Sequence, residues 1–98
     1  MEFEWSERKR QKNIEKRGID FTGVLPLFTG PDTIVLTDGR KHYGEERFVL
    51  FGYIRGKLFQ VGFTERGLRV RIFTARRANE RERRLYEQCR HNRGRTDI

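Results

Sequence analysis

Apolar positions recur along this chain in two rhythms, and the change between them separates strands from helices. From Arg47 to Gly67, "RFVLFGYIRGKLFQVGFTERG" holds two runs rich in aromatic and branched residues, joined by Arg55-Gly56-Lys57. Such runs read as strands, and Gly56 suits the positive-φ position of a tight hairpin. "TERG" then turns into "LRVRIFTA", where Val70, Ile72 and Thr74 alternate against Arg69, Arg71 and Phe73. That period of two belongs to a strand with one buried face. Short turns between consecutive strands give an antiparallel meander, to which Thr33–Asp38 adds a fourth member, followed by a polar loop, "RKHYGEE".

The ends of the chain read differently. "MEFEW" is a short starting strand, and Ser6 is placed to cap a helix that Gly18 stops. The best face of this helix is Trp5, Lys9, Asn13 and Lys16. It reads either as a solvated helix anchored by Trp5 and Ile14, or as a donor face for a phosphate or a protein partner. "IDFTGVLPLF" has helical spacing at Phe21, Val24, Leu25 and Phe28, but Gly23 and Pro26 predict a short or broken helix. Residues 79–92 form a charged C-terminal helix with a narrow seam of Leu85 and Cys89, and 93–98 a frayed tail. The expected fold is α+β over a single domain, 1–98. It has a small antiparallel sheet of about four strands in a meander plus a short N-terminal strand, packed by two N-terminal helices and followed by a C-terminal one.

Composition adds a thin core and a strong charge. Apolar residues are 35% of the chain, below the usual share of about 45–50%. The net charge is +8, and from Arg66 to Arg95 eleven arginines face three acids, Glu80, Glu82 and Glu87. A balance that basic favours polyanions or an acidic partner. Cys89 is the sole cysteine, so neither an intramolecular disulfide nor a cysteine metal cluster can form. No apolar run is long enough to span a membrane. The expectation is a soluble cytoplasmic protein with no membrane partner, no metal site and no cofactor.

The candidate chemistry follows from the arginines. Alternation sets Val70 and Ile72 toward the helices and Arg69 and Arg71 toward the other face, with Arg76 and Arg77 at the strand's exit. Guanidinium groups there either hold phosphate oxygens bidentately or simply solvate a sheet face. The loop supplies His42 as a general acid or base, and Glu45 or Glu46 to accept a proton or orient an arginine. The common nucleotide-binding, zinc-protease and serine-hydrolase motifs are missing from the sequence. RNA cleavage needs none of them. The ribose 2′-hydroxyl is itself the nucleophile, and the protein has only to orient it, manage a proton and stabilise charge on phosphorus.

Several stretches together resemble the BrnT family of toxins. They are "FEW" followed by Lys9, Asn13 and Lys16-Arg17-Gly18, then Asp20-Phe21 and Phe28, "YGEERF" from Tyr43 to Phe48, and "RVRIFTARRANERERRLYE" from Arg69 to Glu87. The chain departs from the family pattern at Ser6, Arg17 and Thr74, and at Gly23 and Pro26, which interrupt a segment that is helical in the family. The resemblance implies a RelE-like fold and a metal-independent endoribonuclease that blocks translation. It also implies neutralisation by a cognate BrnA-like antitoxin with a ribbon-helix-helix domain, operator DNA being contacted only through the toxin–antitoxin complex. Carried onto this chain, the catalytic positions are Glu46, Arg47, Arg76, Arg77 and His42. Arg76 and Arg77 would stabilise the phosphorane, Glu46 would orient an arginine or take the 2′-hydroxyl proton, and His42 would donate one. Arg71, Arg69, Lys9, Asn13 and Lys16 would bind RNA phosphates.

Two other readings compete. In one, the chain binds nucleic acid without cutting it, stacking bases on Phe51, Tyr53 and Phe59. In the other, the basic face exists mainly to be covered by an acidic antitoxin.

Overall fold

The computed structural model describes residues 1–42 and 44–95 and, of residues 40–42 and 92–95, the backbone alone. The helix expected after Ser6 is present as α1 (Glu7–Arg17), following a short strand β1 (Glu2–Glu4). The Ser6 hydroxyl accepts from the Lys9 N–H at 3.3 Å. Gly18, at φ 69°, ends the helix by donating its N–H to the Ile14 carbonyl at 2.8 Å. A left-handed residue is needed at that position, and glycine adopts it without a Cβ penalty. Phe21–Thr29, where Gly23 and Pro26 weaken an α-helix, forms a 3₁₀ helix instead. Asp20 caps it, accepting from the Thr22 N–H at 3.0 Å.

Strands β2 (Ile34–His42), β3 (Glu45–Ile54), β4 (Lys57–Arg66) and β5 (Arg69–Arg77) then form the meander, and α2 (Glu80–Arg95) closes the described chain. One five-stranded sheet results, ordered β1-β5-β4-β3-β2, antiparallel except where β1 runs parallel to β5. The β3–β4 turn is Arg55-Gly56, with φ values of 51° and 76°. The polar stretch expected as a loop after Asp38 is instead paired backbone, since β2 runs to His42 and β3 starts at Glu45, with a register shift between Asp38 and Lys41. Ladder hydrogen bonds do not depend on apolar side chains, and β2 lies at the sheet's edge, where polar residues face water at little cost. Tyr43 and residues 96–98, half of the expected frayed tail, lie outside the described residues; the other half, 93–95, is not frayed but continues α2 to Arg95.

The two faces of the sheet are covered unequally. On one, Phe21, Val24 and Leu27 of the 3₁₀ helix meet Leu50, Val61, Phe63, Val70, Ile72 and Ala75, with Phe3 and Trp5 at the margin. Each fully buried side chain of this size contributes about 1.5–3 kcal/mol, which is how a chain with few apolar residues closes its core. On the other face lies α2. Tyr86, only 3% exposed, packs with Ile34 and Leu58, and Phe51 and Tyr53 pack around them. Of the expected seam, Cys89 packs against this cluster, but its companion is Tyr86, because Leu85 is 51% exposed. An aromatic ring buries more area than a leucine, and the Tyr86 hydroxyl also donates to the Asp32 carbonyl. Phe51, Tyr53 and Phe59 belong to these two cores. They are not the open base-stacking platform that the binding-module reading needed. Among the described residues no helix is long and apolar enough to cross a membrane.

Candidate active site

The open surface is the half of the α2-side sheet face that α2 does not reach. Register places one row of side chains across it. Arg47 on β3 pairs with Thr64 on β4, Thr64 with Arg71 on β5, and Arg71 with Glu4 on β1. Beyond it, Arg66 pairs with Arg69 and Arg69 with Glu2. Most of these cations are held by carboxylates. Arg71 donates to Glu4 at 2.6 Å, Arg69 lies 3.5 Å from Glu2, and Arg66 donates through two nitrogens to Glu45, both at 2.9 Å. The Arg66 hydrogen bonds hold the Glu45 carboxyl below its ordinary range, with burial opposing them and Arg47 and Arg71 adding weaker attraction.

Arg47 is held differently. Its guanidinium carbon stands 4.1 Å from the centroid of the Phe73 ring. Among the described residues no carboxylate is within ion-pair distance of it. A cation over a ring contributes about 0.5–2 kcal/mol, depending on desolvation. Phe73 shares this face by its alternation with Arg69 and Arg71, and it stands at a bulge in β5. Gly62 pairs with Thr74 but Phe63 pairs with Ile72, which leaves Phe73 as the extra residue. The bulge inverts the alternation beyond it, so that Ile72 and Ala75 both enter the core.

That inversion separates Arg76 from Arg77. Arg76 shares the α2-side face and donates to both oxygens of Glu82, at 2.8 and 2.7 Å. Glu82 is committed further, since it accepts from the Asn79 N–H at 2.9 Å while Asn79 Oδ1 accepts from the Glu82 N–H at 2.8 Å. This is a capping box at the start of α2. Hydrogen bonding to Glu82 raises the Arg76 pKa, and Arg76 in turn lowers that of Glu82. Arg77 pairs in register with Phe59, on the opposite face, and lies 5.7 Å from that ring. The two arginines therefore do not converge.

Other expected positions fall as follows. Glu46 is exposed and, by the alternation of β3, projects from the same side as Phe48 and Leu50, away from Arg47. Its carbonyl accepts from the Thr64 hydroxyl at 2.7 Å. His42 pairs in register with Glu45, and its side chain lies outside the described residues. Asn13 is buried, with its amide donating to the Ile19 and Ala75 carbonyls and accepting from the Ala75 N–H. Lys9 and Lys16 are exposed, and with Lys12, Arg17 and Phe73 they line a shallow cleft of about 200 Å³. The Lys9 Nζ is 5.9 Å from the Phe73 centroid, so this ring joins the α1 lysines to the sheet arginines.

Sequence reasoning did not select Glu4, Arg66, Phe73 or the Asn79–Glu82 box. The last had a readable signal, Asn-x-x-Glu before a helix, and Phe73 was the aromatic residue alternating with Arg69 and Arg71. Glu4 and Arg66 acquire their places only through strand pairing.

An arginine row on a sheet that α2 leaves half open is suited to a polyanion. The family model for the ribonuclease toxin BrnT, of type II toxin–antitoxin systems, matches residues 5–82. The chain belongs to the BrnT family. That match includes α1, the whole sheet from β2 to β5 and the Asn79–Glu82 cap, and so contains every arginine of the open face. Comparison with curated proteins gave no match. A BrnT-family chain is one of a ribonuclease toxin family whose toxins are paired with antitoxins.

Proposed function

We propose that this BrnT-family chain is a metal-independent endoribonuclease acting from the open half of its sheet. The observation that carries the reading is the pairing of Arg47 and Arg71 across Thr64, with the Arg47 donors not committed to a carboxylate. In this reaction the 2′-oxygen bonds to phosphorus as the bond from phosphorus to the 5′-oxygen breaks. The 2′-hydroxyl proton passes to a carboxylate and the 5′-oxygen gains a proton. The products are a 2′,3′-cyclic phosphate and a 5′-hydroxyl.

Arg47 and Arg71 stabilise the added negative charge on phosphorus, and Arg69 with the α1 lysines Lys9 and Lys16 holds flanking phosphates. Glu45 is the acceptor in this scheme, because it shares the face of Arg47 whereas Glu46 projects away. Its lowered pKa makes it a weak base, so charge stabilisation carries more of the rate than proton abstraction. His42, the register partner of Glu45, is the proton donor. Arg76 and Arg77 act outside the site, the first by fastening α2.

The cognate antitoxin is a BrnA-like protein with a ribbon-helix-helix domain, whose acidic segment covers the same arginine row, and operator DNA is bound through that complex. The test is end chemistry. RNA incubated with the purified chain should yield 2′,3′-cyclic phosphate and 5′-hydroxyl ends, and a single 2′-deoxy substitution at the cut site should block cleavage. Intact RNA bound in a strongly salt-dependent way would favour the binding module instead.

A further inference from the structure

We infer that Phe73 is the positioning residue for Arg47, and that Gly62, Phe73 and Arg47 form one stack built to present an uncommitted guanidinium to RNA. The inference rests on the proposed reading of the open face as an RNA site, and extends it to residues that have no charge.

Three observations converge. Phe73, the extra residue of the β5 bulge, lies over Gly62. A Cβ on Gly62 would lie 2.8 and 2.9 Å from the Phe73 Cε2 and Cζ and 2.7 Å from the Thr74 Cγ2. A side chain at this position would push the ring or Thr74 aside, so the glycine is the floor on which the ring lies. On the ring, in turn, sits Arg47, at 4.1 Å from the centroid. The neighbouring Arg66, Arg71 and Arg76 are oriented by carboxylates, which take two N–H donors of Arg66 and of Arg76 and one of Arg71. A ring orients a guanidinium through its face and leaves the N–H edge open. Phe73 therefore supplies what a carboxylate partner supplies elsewhere on this surface, without competing with phosphate. It also meets Lys9 at 5.9 Å, so the stack stands where the α1 cleft and the sheet row join.

A double-mutant cycle tests this, with Arg47→Ala, Phe73→Leu and both together. The binding probe is a 2′-O-methyl RNA oligonucleotide, which cannot be cut, and unmodified RNA is used for cleavage. Phe73→Leu is expected to weaken binding about 3- to 30-fold, Phe73→Tyr to recover most of that loss, and the double variant to bind no worse than Arg47→Ala. The Arg47 Nε–H proton resonance should be displaced by the ring in the wild type and in Phe73→Tyr, and should move to the position of an exposed arginine in Phe73→Leu. Additive losses, or an Arg47 resonance unmoved by Phe73→Leu, would overturn the inference. Coupled binding without cleavage by the wild type would sustain it while defeating the nuclease reading. Cleavage with additive losses would do the reverse.

Discussion

The Asn13 side-chain amide takes the place of a strand partner for Ala75, donating to its carbonyl at 2.9 Å and accepting from its N–H at 3.3 Å. β1 pairs with β5 only as far as Arg71, so the edge beyond it needs another partner for its backbone groups. Asn13→Ala leaves both groups of Ala75 without one, and orphaned buried groups cost about 1–3 kcal/mol each. Denaturant unfolding should show a fall in midpoint with little change in slope. An unchanged midpoint would mean that Asn13 serves ligand binding more than the fold.

Arg76 and Arg47 should separate stability from function. Arg76→Ala removes the bidentate hold on Glu82 and is expected to cost about 1–2 kcal/mol, or a Tm lower by about 5–15 °C in a domain of this size. Arg47→Ala loses a ring contact of about 0.5–1 kcal/mol on an open surface, so the Tm should fall by no more than about 8 °C while most RNA cleavage is abolished. Thermal melts and initial cleavage rates on the same preparations distinguish the two.

Gly62→Ala places a methyl group against both Thr74 and the Phe73 ring. Overpacking of this kind costs about 1–3 kcal/mol. The ring is displaced more easily than the backbone, so RNA affinity should fall along with stability. A Gly62→Ala chain that binds RNA as the wild type does would argue against a seated ring.

Acid should loosen the molecule through carboxylates held by arginines. Asp20 is lowered by hydrogen bonds from Arg10 and then from Thr22, Glu45 by Arg66, Glu80 by Arg83 and Glu82 by Arg76. A folded-state pKa below the unfolded one gives a contribution present above the unfolded value, about 4 for carboxylates. It is lost as pH falls through the folded value. Melting temperatures should hold from pH 7 to about 5 and decline below about 4. Asp20→Asn should start lower at neutral pH and decline less steeply.

Caps, hairpin turn and strand order were legible because their causes are local. Ser6 and Gly18 bracket α1, Arg55-Gly56 turns the β3–β4 hairpin, and Val70 and Ile72 point to the core as their alternation predicts. The alternation fails at Thr74, which joins Phe73 on the face of Gly62 and not Val70 and Ile72 in the core. A bulge at Phe73 shifts the face of each residue after it, which brings Arg76 to the α2 side and sends Arg77 to the other. Nothing local marks that bulge, which shows only in the pairing of β5 with β4 at Gly62 and Phe63. Asn13 was misleading for a similar reason. Its polar side chain suggests a ligand, but its partner is backbone 62 residues away. The polar α2 hid its docking because, among its described residues, Tyr86 is the one apolar side chain that is fully buried.

The central claim is that the open sheet face cuts RNA without metal, with Arg47 stabilising charge on phosphorus. It is tested most directly by initial cleavage rates of purified wild-type and Arg47→Ala chains on the same RNA in EDTA. The account predicts cleavage by the wild type and a rate about 10²- to 10³-fold lower for Arg47→Ala. Cleavage that requires an added divalent cation, or an Arg47→Ala rate equal to the wild type's, would contradict it.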